Sequence, residues 1–172
     1  MKRLLLISTW FQVIWFMAVL GSYSLQYVTL AFAVLTLVIS VAMTDLPWGK
    51  VLVVIGIGVC VDFINTYTGV FEFTEAGFPL WLLALWVAFA WYAYFLTPIL
   101  IRYPLIAVSI VGSAGGVLSY IAGSKLGAVE LGLPISLTSL ILAIEWALMI
   151  AIIIRVYGHE QTNGNRMLGL DK

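Results

Sequence analysis

The sequence predicts an all-α integral membrane protein: six transmembrane helices in one bundle, with both ends in the cytoplasm. Three observations predict it. The composition is extremely apolar, the apolar residues fall into six runs of spanning length, and the basic residues gather on one side of those runs.

Of the 172 residues, 63% are hydrophobic and 9% charged, with a mean hydropathy of +1.13. A soluble domain is about 45–50% apolar and about 25% charged. Eight basic and eight acidic side chains could not screen this much apolar surface from water, so lipid must be the solvent for most of the chain. At about 20 residues per span, the length allows about six spans with short loops. The formal net charge is zero and no basic block is present, so nucleic acid is excluded as a partner. Cys60 is the only cysteine, which excludes an internal disulfide and a cysteine-built metal site; in its apolar run it reads as a small buried apolar residue.

The six runs cover residues 4–20, 27–43, 51–70, 79–100, 104–122 and 135–156. They are long and do not alternate, which favours helices over strands. Asp45-Leu46-Pro47-Trp48-Gly49 separates the second run from the third, and Glu72 to Gly77 leads to Pro79, which suits a first helical turn. Arg102-Tyr103-Pro104 separates the fourth from the fifth, and Gly127, Gly132 and Pro134 mark the last long loop. Residues 1–157 thus form the transmembrane domain and residues 158–172 a mobile polar cytoplasmic tail. Lys2 and Arg3 precede the first run as in a signal peptide. That run carries Trp10, Gln12 and Trp15 and is long for a signal core, so it is read as an uncleaved span. With the N-terminus inside, Lys2, Arg3, Lys50, Arg102, Arg155, Arg166 and Lys172 are cytoplasmic and only Lys125 lies outside, as the positive-inside rule favours.

Ionisable groups inside a membrane are expensive and mark candidate sites. Asp62 lies about 16 Å along the third run and Glu145 about 15 Å along the sixth, so both reach the midplane from opposite sides. Gly58, Asp62 and Asn65 share a helix face, Glu145 shares one with Thr138, and Ser8, Gln12 and Trp15 form a similar stripe. The functional reading is a buried polar pocket that binds a proton, a cation or a polar head group, with Asp62, Asn65, Glu145, Gln12 and Tyr120 as ligand-binding residues. The structural reading is hydrogen bonding that holds the bundle together. Two carboxyls close together in low dielectric should not both ionise, so at least one proton is expected to be held at neutral pH. On the fifth run Gly112, Gly116 and Gly123 are helix-packing residues, where small side chains let backbones approach. Lys125 beyond them either snorkels or attracts an anionic head group. Trp81, Trp86 and Trp91 recur every five residues and do not share a face. Trp81 fits an interfacial belt, and the other two are assigned to lipid contact and packing.

His159 is the only histidine and lies in the tail. Histidine-built di-iron sites, H-E-x-x-H metalloproteases and a Ser–His pair in the membrane are therefore excluded, and no Walker A motif or dinucleotide fingerprint is present. No metal or cofactor is expected. Acid–base chemistry by Asp62 and Glu145 on a lipid stays open.

Pro79-Leu80-Trp81-Leu82-Leu83-Ala84-Leu85-Trp86, then Gly116, Tyr120-Ile121-Ala122-Gly123 and Leu126-Gly127-Ala128-Val129, accompany Asp62 and Glu145-Trp146. Together these resemble an uncharacterised family of small bacterial multi-pass inner-membrane proteins, a domain-of-unknown-function family. The resemblance covers nearly the whole chain. It implies an inner-membrane location. It also implies, by association with neighbouring genes for cyclopropane-fatty-acid-synthase-like and flavin amine-oxidase-like proteins, a link to membrane-lipid modification. No catalytic residue comes with it. The expected role is to bind or move a small amphipathic or lipid-derived molecule or to assist a lipid-modifying partner, with membrane lipids, a partner membrane protein or a second copy as its company. The alternatives are a membrane enzyme acting on an acyl chain or isoprenoid and, by likeness of size and span count, the substrate-binding subunit of a vitamin-type transporter.

Overall fold

The structure, a computed structural model, describes residues 2–75 and 77–167, with side chains described as far as Gly158. Among the described residues are five helices: α1 (Lys2–Met43), α2 (Trp48–Tyr67), α3 (Leu80–Leu100), α4 (Leu105–Lys125) and α5 (Ile135–Met167). Each holds a segment long and apolar enough to cross a membrane. Large apolar side chains such as Leu6, Phe16, Ile106, Val111 and Leu148 stand exposed on the outside of the bundle, a surface that suits lipid and not water. The architecture is that of a helical membrane protein.

Six separate helices were expected and five are found, because the first two runs belong to one element. Ser22 interrupts α1 with φ 41° and ψ −128°, a backbone conformation that L residues rarely adopt. There the chain turns back on itself. Trp10 Nε1 donates to Thr36 Oγ1 at 2.9 Å, and the Trp10 and Phe32 rings lie 6.1 Å apart. A straight helix would separate residues 10 and 36 by about 39 Å. The polar cluster after Leu20, expected to form a loop, instead makes a reversal so tight that a Cβ on Gly21 would meet the Leu25 side chain at 2.6 Å.

Helix α3 is the centre of the bundle and packs against both α1 and α2. Its three tryptophans are all buried, so Trp86 and Trp91 do not face lipid and Trp81 is not on an exposed belt. A helix surrounded on every side has no outward face, and residues that do not share a face can still all be interior. Trp91 Nε1 donates to Ser40 Oγ of α1 at 2.7 Å.

Helices α4 and α5 pack as a pair. A Cβ on Gly112 would meet Ile150 at 2.6 Å, and one on Gly116 would run into the Trp146 ring. These two small residues let the α5 side chains reach the α4 backbone. Ser113 Oγ donates to the Ala143 carbonyl at 3.0 Å across the same contact. Helix α5 continues past Val156 to Met167, further than the polar composition suggested. The side chains of His159 and Arg166, and Lys172 altogether, lie outside the described residues.

Two short strands, β1 (Phe71–Glu72) and β2 (Glu130–Leu131), pair antiparallel with Phe71 opposite Leu131 and join the loop before α3 to the loop before α5. These segments were expected to be plain loops. Gly132 permits the junction: its N–H donates to the Val70 carbonyl at 3.2 Å, and a Cβ there would collide with the Gly69 carbonyl. Cys60 is exposed on α2 and not buried as expected. Lys125 is exposed at the end of α4.

Candidate functional site

Asp62 and Asn65, one turn apart on α2, are 1% and 2% exposed. Gly58, a turn earlier on that face, leaves a space that the Trp86 ring fills; a Cβ there would overlap the ring. The flat approach of Trp86 brings its Nε1 to Asp62 Oδ2, to which it donates at 2.6 Å. From α4, the Tyr120 hydroxyl lies 2.7 Å from both Oδ1 and Oδ2. Asn65 Nδ2 donates to Glu145 Oε2 of α5 at 2.9 Å. Four helices therefore meet at one buried polar centre. Such a centre is stabilising only because every member has a partner; an unpaired carboxyl in this setting would be strongly unfavourable.

Stacking fixes the orientation of these donors. Phe71 of β1 lies parallel to Tyr120, with ring centroids 4.9 Å apart and planes within 8°. Trp146, next to Glu145, stacks on Trp86 at 5.8 Å and 13°. Offset-parallel rings at such separations attract beyond their buried area.

Beside this centre, between α1, α3, α4 and α5, lies a small cavity of about 70 Å³ that opens at its mouth. Its walls are mainly aromatic, with Trp15 of α1, Trp81, Trp86 and Phe89 of α3, Tyr120 of α4 and Trp146 of α5. Among the described residues no charged side chain lines it. Asp62, Asn65 and Glu145 stand behind the wall, and Trp86 and Tyr120, which line the cavity, hold Asp62. On the α1 side, Trp15 Nε1 donates to Ser119 Oγ at 2.8 Å, the hydrogen bond that spans from α1 to α4.

The expected site residues fall into two groups. Asp62, Asn65, Glu145 and Tyr120 are brought together. Gln12 is exposed and lines no part of the cavity, although Trp15 from the same stripe does, and Ser8 Oγ donates to Tyr92 OH at 3.3 Å. Thr138 is buried but donates to the Leu133 carbonyl at 3.3 Å, at the start of α5, and not to Glu145. Sequence reasoning missed Trp86 and Trp146 as members of the site. One signal was available: a midplane carboxyl with no basic residue at its depth must find neutral donors, and a tryptophan N–H is one of the few.

Among the described residues no cluster of histidine, cysteine, aspartate or glutamate could hold a metal ion.

A family model described as a protein of unknown function (DUF2878) matches residues 4–152. The chain belongs to this family. The matched segment includes α1 to α4 and the part of α5 that carries Glu145 and Trp146, so the DUF2878 region contains the whole site. No curated protein and no solved structure matches the chain. The resemblance drawn from the sequence motifs is thus correct at the level of the family.

Proposed function

We propose that this DUF2878 protein binds a small amphipathic or lipid-derived molecule inside a bacterial inner membrane, which it crosses six times with both ends in the cytoplasm. The observation that carries the reading is the aromatic cavity built on Trp86 and Tyr120, two side chains anchored by a buried carboxyl. Ligand sites are concave, mostly apolar and furnished with a few placed polar groups. Here the aromatic walls and the pre-ordered rings agree with that description. A binding role is preferred to catalysis because Asp62, the candidate acid or base, sits behind the wall and does not line the space a substrate would occupy. The six crossings are supported by the reversal at Ser22, and the orientation by the basic residues near the ends of α1, α3 and α5.

The test is a lipid-resolved mass spectrum of molecules retained by the purified protein, unmutated and as Asp62→Asn. A species enriched over the bulk membrane in the first and depleted in the second is expected. Recovery of bulk lipid in unchanged proportions from both would refute the reading.

A further inference from the structure

One indole of the cavity wall carries a donor that the bundle leaves unused. Trp81 lines it and is only 3% exposed, yet its Nε1 is buried without a hydrogen-bond partner. Two other indoles of the wall are occupied: Trp15 Nε1 donates to Ser119 and Trp86 Nε1 to Asp62. Phe73 meets the Trp81 ring edge-on at 5.8 Å. A buried donor left unpaired is a substantial penalty, and native proteins rarely leave one without a reason.

Resting on the binding role proposed above, we propose that the cavity takes a neutral apolar molecule carrying an acceptor oxygen, a carbonyl or ester, and that Trp81 Nε1 donates to that oxygen. Three features select this chemistry. An indole N–H can only donate, so it recognises an acceptor. No cationic side chain lines the cavity, and two carboxyls stand behind its wall, which disfavours an anionic ligand. An aromatic box can attract a cation through its ring faces. A cation, however, would leave the Trp81 donor unsatisfied, and Asp62 is already engaged by Tyr120 and Trp86. The apolar remainder of the ligand lies against the rings of Trp15, Phe89 and Trp146.

The experiment uses the full chain in lipid nanodiscs with labelled indole nitrogens. It is titrated with three probes of one chain length: a medium-chain methyl ketone, the matched hydrocarbon and the matched alkyl trimethylammonium. The indole signals of Trp15 and Trp86 report entry into the cavity, and the Trp81 signal, assigned by its loss in Trp81→Phe, reports the hydrogen bond. The ketone is expected to move the Trp81 indole proton downfield and to bind roughly threefold to tenfold tighter than the hydrocarbon. In Trp81→Phe that advantage disappears while the hydrocarbon binds as before. Equal binding of ketone and hydrocarbon with an unmoved Trp81 signal overturns the inference, as does tightest binding of the ammonium probe; in both cases the cavity remains a binding site. If no probe disturbs Trp15 or Trp86, the binding role itself fails. The Trp81 shift and the ratio of ketone to hydrocarbon affinity decide the matter in unmutated protein even if Trp81→Phe does not fold.

Discussion

The hydroxyl of Tyr120 reaches both carboxyl oxygens of Asp62 at 2.7 Å, joining α4 to α2 through the middle of the bundle. Trp86 completes the arrangement from α3, so the residue most expensive to bury is the one on which three helices converge. Removing the Tyr120 hydroxyl should therefore be felt in stability. Tyr120→Phe keeps the ring stacked on Phe71 and deletes only the donor. By the usual cost of leaving a buried acceptor short of a donor it should destabilise by about 1–3 kcal/mol, read as a lower melting temperature in detergent. Asp62→Asn, which keeps the shape and part of the hydrogen bonding, should be milder than Asp62→Leu. Equal melting of Tyr120→Phe and unmutated protein would mean that the contact does not hold the bundle.

Two pairs of neighbouring glycines make a sharper comparison. Gly58 and Gly116 are covered by the rings of Trp86 and Trp146, whereas Gly56 and Gly115 have nothing within 4 Å of a built Cβ. Gly58→Leu and Gly116→Leu should lower folded yield severely. Gly56→Leu and Gly115→Leu should fold normally, helped by the better helix propensity of leucine. Similar yields for all four would remove the case for close packing at these faces.

The reversal at Ser22 predicts an unusual preference. Its positive φ suits glycine, so Ser22→Gly should be neutral or stabilising and Ser22→Val destabilising by more than about 1 kcal/mol. Cysteines placed at positions 10 and 36 should be joined by a short bifunctional thiol reagent that spans the width of the indole now bridging them. Failure to cross-link would contradict the folded-back α1.

Reporter fusions test the crossings and the orientation. Fusions at Gly49, Tyr103 and Gly158 should report cytoplasm, and those at Ser22, Gly77 and Gly132 the opposite side, following the basic residues. A reporter at Gly158 on the outer side would contradict both the six crossings and the inward termini.

The parts of this molecule differ in how readable they are from sequence, for physical reasons. Spanning runs stand out because lipid demands an apolar surface, and Asp62 and Glu145 stand out because lipid penalises charge. Their convergence followed from counting rise per residue, and the Asn65–Glu145 hydrogen bond supplies the link between them. The rotation of each helix was not readable. In a membrane bundle the lipid-facing and interior sides are both apolar, so no periodic pattern marks the interior. Gln12 was placed inside by its polarity and Cys60 by its apolar neighbours, and both are exposed. Trp86 was assigned to packing because nothing in its spacing from Asp62 says that their helices face each other. The Ser22 reversal was hidden for another reason: polar residues after Leu20 mark a turn but not one so short that helix resumes almost at once.

Filling the cavity without disturbing its wall tests the central claim most directly. Gly123 lines the cavity, and a Cβ there would meet only Val129 Cγ1, at an ordinary 3.9 Å. A leucine at this position occupies the space a ligand would take and leaves the Asp62 centre in place. The measurement compares molecules retained by unmutated and Gly123→Leu protein, by lipid-resolved mass spectrometry, alongside their melting temperatures. The account predicts a species enriched in the unmutated protein and lost from Gly123→Leu, with the bundle as stable as before. Retention of the same species by a folded Gly123→Leu protein would contradict it.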